Sequence, residues 1–155
     1  MASSTTTRTV SGLKTEVSVK NYGDAVFVVI TQLQKLGNII QASIPPTAPL
    51  NPAPAPTPND PNPLPPISPA IQTTQLLGQA PTEHLQTLHS LYASQIATLI
   101  WTYEGNLSAL IPRRNIITAI SLKQSQTKEE ETVADEERAL FRAVMEMVDE
   151  LLTRK

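Results

Sequence analysis

The chain has 155 residues, 40% of them hydrophobic, and a formal net charge of −2, which suits one domain built on one core. That charge excludes the basic patch of a nucleic-acid footprint, and the absence of cysteine excludes thiol nucleophiles, disulfides and cysteine-ligated zinc together. No run approaches the roughly 18 apolar residues of a membrane helix, and the opening MASSTTTRTVSG lacks the apolar region of a leader, so the expected location is cytoplasmic or nuclear, with no membrane and no nucleic acid as partner.

Residues 1–12 are small and polar and predict a disordered tail. From Leu13 the pattern alternates, with Leu13, Thr15, Val17 and Val19 on one face and Lys14, Glu16, Ser18 and Lys20 on the other, as in a half-buried strand whose charges suit an edge. Asn21 to Asp24 supply turn chemistry. The stretch Ala25 to Ile44 then reads as a hairpin: the run AVFVVITQL, a turn in which Gly37 can take a left-handed conformation, and IIQASI. Ala25 to Ile30 is apolar at every position, so both of its faces need cover, as in the centre of a buried sheet. One face can be met by helices. The other must meet a second sheet, a long loop or another protein.

Twelve of the fourteen prolines fall between Pro45 and Pro69. Proline removes backbone donors, so this segment predicts a disordered, polyproline-rich insert at 45–69 between strands of one sheet. Its PxxP spacings, Pro58 to Pro61 and Pro63 to Pro66, have the form of an SH3 or WW ligand but lack basic flanks. Ala70 to Leu77 predicts a strand ended by Gly78. A helix follows from Pro81 to about Tyr103, with Leu85, Leu88, Tyr92, Ile96 and Leu99 on one stripe and Gly105 as its C-cap. Asn115 to Leu122 predicts a further strand. The last helix opens on a capping box at Thr127 to Glu130 and carries Leu140, Val144, Met147 and Leu151 on its stripe, with Arg154 and Lys155 at its negative end. Nine of the fourteen acids lie between Glu129 and Glu150, which the helix dipole and a solvated face explain.

The parts of an enzyme are missing from this pattern. His84 and His89 are the only histidines and stand five apart, off the spacing of one helix face, which predicts no metal site. There is no phosphate-binding glycine motif and no nucleophile elbow, so no catalytic residue and no cofactor are expected. Trp101 and Tyr103 read as core, with exposed partner anchors as the alternative. The expected fold is α+β: an antiparallel sheet or small sandwich of about five strands with two amphipathic helices, forming a single domain over 13–155 around the proline-rich insert. Its expected work is binding protein.

Two motifs extend this reading. Thr31-Gln32-Leu33-Gln34-Lys35-Leu36-Gly37, after Val28-Val29-Ile30, and Thr73-Thr74-Gln75-Leu76-Leu77-Gly78-Gln79 resemble the TQ-x-x-K-[ML]-G turn and the TT-x-[LV]-LLGQ strand end of the third-type proteasome assembly chaperones. The resemblance spans about residues 13 to 152, excluding the insert. It implies a small α+β fold that dimerises with the related fourth-type chaperone or with itself. It also implies that the dimer orders proteasome α-subunits into the ring of the 20S core without chemistry or cofactor. Thr31, Gln32, Lys35, Gly37 and Gln79 are then the candidate partner-binding residues, with turn geometry as the competing reading for Gly37. A dimerising adaptor that presents its proline-rich loop to SH3 or WW domains is the alternative from another class.

Overall fold

The computed structural model describes residues 3–33, 37–123 and 130–153. The elements run β1 (Ser3–Val10), β2 (Leu13–Asn21), β3 (Ala25–Thr31), β4 (Asn38–Ser43), β5 (Gln72–Leu77), α1 (Glu83–Leu107), β6 (Asn115–Ser121) and α2 (Glu130–Thr153). The six strands form one sheet of order β1-β2-β3-β6-β4-β5, so the fold is α+β with a single mostly antiparallel sheet.

The expected hairpin over Ala25 to Ile44 is not made. β6 lies between its two strands, parallel to β3, with Phe27 opposite Ile117, and antiparallel to β4, with Ile117 opposite Gln41. Burial explains the choice. β3 and β6 carry apolar residues along both faces, and side by side in the sheet centre each has neighbours along both edges. A hairpin over 25–44 would have pushed β6 to an edge.

Residues 3–10, expected to be disordered, form β1. They pair with β2 over a register from Ser3 and Lys20 to Val10 and Leu13. The segment is rich in threonine, which favours strands, and the turn places both Ser11 and Gly12 at positive φ (50° and 81°), the backbone of a type I′ hairpin. Its inward face carries Arg8, whose Nη1 donates to Glu146 of α2 at 3.0 Å. Apolar periodicity was the missing signal.

Both helices pack on the same sheet face. Val17, Val28, Ile30, Ile116 and Ile120 from the sheet meet Tyr92, Ile96 and Ile100 of α1 and Val144, Met147, Val148 and Leu151 of α2, all buried. The Tyr92 and Phe141 rings sit 4.9 Å apart at 58°. Thr82 caps α1, accepting from the Leu85 N–H at 3.1 Å. The helix runs through Gly105, the expected cap, and ends at Ser108, whose N–H donates to the Glu104 carbonyl at 3.0 Å. A glycine inside a helix costs only about 1 kcal/mol, so the stabilised turns around it prevail. The capping box at Thr127 and the charges of Arg154 and Lys155 lie outside the described residues.

The segment from Pro45 to Ile71 contains no helix or strand; residues 51–59 are exposed, while its two ends touch the rest of the fold. Ala48, Leu50 and Leu64 sit against the core. A proline-rich segment has carbonyls but few N–H groups, so its acceptors must be met from elsewhere. Gln95 donates to the Pro65 carbonyl at 3.0 Å, Arg142 to that of Asn62 at 3.0 Å, and Arg113 to those of Pro45 and Ala48 at 2.9 and 2.6 Å.

Arg114 closes the opposite end of the helix layer. Its guanidinium donates to the Tyr22 carbonyl at 2.7 Å and to Glu104 Oε2 at 2.5 Å, with both side chains of the ion pair only 16% exposed. Trp101, buried as core, donates through Nε1 to the Arg114 carbonyl at 2.8 Å. Replacing Arg114 by Met is expected to cost about 3 kcal/mol in a urea titration, because it strands the Glu104 carboxylate with no partner. Restoring a matched pair of apolar residues at 104 and 114 should recover most of that loss.

Candidate functional site

With both helices on one side, the other side of the sheet carries a second set of side chains. Two cross-sheet rows define it. Thr5, Ser18, Val29, Ala119, Ile39 and Leu77 are consecutive register partners, and so are Ser3, Lys20, Phe27, Ile117, Gln41 and Thr74. The middle of this face is apolar, built from Phe27, Val29, Ile39, Ile117 and Ala119. None of Phe27, Val29, Ile39 and Ile117 belongs to the hydrophobic core or packs against it. Leu77 at its edge is 67% exposed. The rim is made of Ser and Thr from β1 and β2, with Lys20 and Gln41.

Six strands about 4.8 Å apart, each of 6 to 9 residues rising about 3.3 Å apiece, offer a face of roughly 700 Å². Two such faces pressed together bury roughly 1,400 Å², within the range of a specific interface. An apolar centre with a polar rim is the anatomy of such a patch. The expectation that one sheet face would lack cover from helices is met, and the long loop that could have covered it lies on the helix side instead.

The two sequence motifs come together at one end of this sheet. Gly37 (φ 63°) runs so close to β6 that a Cβ there would overlap the Ile120 carbonyl oxygen and stand 3.0 Å from Ser121 Cβ. Gly78 (φ 75°) abuts it in turn, its would-be Cβ 2.8 Å from the Gly37 carbonyl oxygen. Gln32 ties the neighbouring strands: its N–H donates to the Ser121 carbonyl at 2.8 Å, its Oε1 accepts from the Lys123 N–H at 2.9 Å and its Nε2 donates to Thr15 Oγ1 at 3.0 Å. Thr31 is buried and accepts the Leu33 N–H at 3.1 Å, and Gln79 is exposed beyond β5. Lys35 lies outside the described residues. The motifs therefore build a joint between β4, β5 and β6 before they build any surface.

The fold is similar to that of a proteasome assembly chaperone. A solved chaperone complex for yeast 20S proteasome assembly matches with a TM-score of 0.55 at 10% sequence identity, over 96% of this chain and 99% of that one. At that identity the likeness is one of fold. No protein-family profile matches the chain, and no curated protein matches it.

In this chain the joint extends inward as a network of amides that no spacing rule singles out. Gln75 Nε2 donates to Asn38 Oδ1 and Gln86 Nε2 donates to Gln75 Oε1 at 2.8 Å, while Asn38 Nδ2 donates to Gln86 Oε1 at 3.2 Å and to His89 Nδ1 at 3.1 Å. Each amide orientation is set by the next. Nδ1 of His89 is thus an acceptor, and the proton of the neutral ring sits on Nε2. Burial holds His89 below the ordinary histidine value. The unfolded chain then binds more protons than the folded one, so this contribution to stability is complete above about pH 6.5 and is lost as the pH falls below it. His89→Gln, neutral at every pH, is expected to flatten that part of a chemical-denaturation profile between pH 7.5 and 5.

Among the described residues, no three His, Cys, Asp or Glu side chains are grouped to hold a metal, and no helix is long and apolar enough to cross a membrane. His84 instead lies on the helix surface, its Nε2 2.8 Å from Glu137 Oε2. Of the PxxP prolines, Pro58, Pro61 and Pro66 are exposed. Thr57 and Asp60 exchange backbone hydrogen bonds of 3.0 and 3.1 Å that turn the chain at Pro58, away from the extended helix a proline-reading groove requires.

Proposed function

We propose that this protein is a non-enzymatic chaperone of 20S proteasome assembly, which binds α-subunits and acts as a dimer with a related small chaperone or with a second copy of itself. The observation that carries this reading is the uncovered apolar sheet face, in a fold similar to that of the yeast assembly chaperone complex. Burying Phe27, Val29, Ile39, Ile117 and Leu77 against a partner sheet removes apolar area from water at about 25 cal/mol per Å². The mechanism is that of a scaffold: binding energy holds neighbouring α-subunits in register and raises their effective concentration, and it is released when a competing surface docks. No cofactor enters, and the work takes place in the cytoplasm or nucleus.

The test is co-expression of the tagged chain with α-subunits and a candidate small-chaperone partner, read by native mass spectrometry. The expected species is a complex of two small chaperones with one or more α-subunits, separate from mature 20S particles. Recovery of SH3- or WW-domain proteins alone would overturn the proposal in favour of the adaptor.

A further inference from the structure

Only two hydroxyl side chains in the sequence stand directly before a proline, Thr57 before Pro58 and Ser68 before Pro69. A substrate cleft can read such a dipeptide through what proline lacks. If the cleft offers no acceptor after the hydroxyl, it penalises every residue with an N–H there and spares proline, which has none.

The fold separates the two candidates. Ser68 is half-buried, its Oγ accepting from the Ala70 N–H at 3.1 Å and its carbonyl from the Ile71 N–H at 3.2 Å. It also stands close to Pro65, whose carbonyl Gln95 of α1 holds. Thr57 lies in the exposed stretch 51–59, on the helix side and away from the uncovered sheet face. Its turn to Asp60 is closed by surface hydrogen bonds, which open readily into water. A groove ligand must stay extended while bound and loses affinity by it. A covalent modification needs the open form for one turnover only.

We propose that Thr57 is a phosphorylation site for a proline-directed kinase, and that the phosphate detaches this part of the loop from α2. Thr57 Oγ1 attacks the γ-phosphorus of ATP. The new O–P bond forms as the bond from that phosphorus to the β,γ-bridging oxygen breaks, ADP leaves, and the hydroxyl proton passes to the kinase. Arg142 ties the loop to α2, pairing with Asp60 at 3.5 Å and donating to the Asn62 carbonyl at 3.0 Å. Arg8, Glu146, Asp149 and Glu150 also line the cavity beneath the loop, and Arg8 is held by Glu146 and Glu150. With Asp60 that is four acids against two arginines, and a phosphate adds a charge of about −1.5 to −2. The added charge meets a field that is negative on balance, so the turn is pushed off the helix.

The test is incubation of the full chain with ATP and a purified mitogen-activated kinase, read by mass spectrometry and by amide hydrogen exchange in NMR. One phosphoryl group, about 80 Da, is expected on Thr57, with Ser68 unmodified and the Thr57→Val chain inert. The Thr57 and Asp60 amides, which close the turn, are expected to exchange about tenfold faster after phosphorylation, while the amides of β3 keep their rates. The proposal is overturned if the chain takes up no phosphate, or if Ser68 or the Thr57→Val chain is modified as fast as Thr57. It is overturned equally if phosphorylation leaves the Thr57 and Asp60 amides as protected as before.

Discussion

Phe27→Glu is expected to yield a folded chain that no longer pairs through its sheet, with the dissociation constant raised at least 30-fold, about 2 kcal/mol. Phe27 lies at the middle of the uncovered face, between Lys20 and Ile117, and outside the core cluster. In the isolated chain the new carboxylate is hydrated, and Lys20 directly across the strand pair offers it a partner, worth a few tenths of a kcal/mol. In a face-to-face complex the same carboxylate is stripped of water among Val29, Ile39 and Ile117, which costs several kcal/mol. Sedimentation velocity with the proposed partner chaperone and with the chain alone, alongside the circular-dichroism melting curve, separates the two effects. An unchanged melting curve with binding lost locates the interface on this face. Unchanged binding shows that the partner docks elsewhere.

Gly37→Ala is expected to cost about 3 kcal/mol in stability, and Gly12→Ala only about 1 kcal/mol. Both glycines sit at positive φ, 63° and 81°, where an L side chain costs roughly 1–2 kcal/mol. They differ in surroundings. A Cβ at Gly12 meets nothing within 4 Å, whereas at Gly37 it overlaps the Ile120 carbonyl, which is backbone and held in the sheet. The difference between the two variants thus isolates the steric part from the conformational part. Urea titrations of the two, with equal m-values, provide the measurement. Equal losses would mean that the strand end at Ile120 yields to the added methyl. If partner binding by the Gly37→Ala chain, scaled for its folded fraction, remains native, the glycine serves the joint and not the surface.

Local chemistry carried much of the architecture. The period-two run from Leu13, the doubly apolar run from Ala25, and the leucine and isoleucine stripes of α1 and α2 each identify an element and the face it buries, because these patterns are written in consecutive residues. The need of one sheet face for outside cover follows from the same reading.

What the sequence by itself determined about this protein is therefore the kind of element at each place and the balance of apolar surface. Only the tertiary structure decided which strands are neighbours. β6 is separated from β3 by some 80 residues of chain, and strand pairing depends on competition for the sheet centre, which no local window contains. Register partners likewise chose β1 over a disordered tail, since SSTTTRTV has a face to offer only once β2 and α2 are beside it. The packing of the proline-rich segment was decided by donors far away in sequence, on Gln95, Arg113 and Arg142. The same holds for the joint, where Gly37, Gly78, Gln32 and Gln75 stand in two motifs 40 residues apart and acquire their roles from carbonyls and amides of other strands. Pattern specifies what must be buried, and the long-range contacts settle against what.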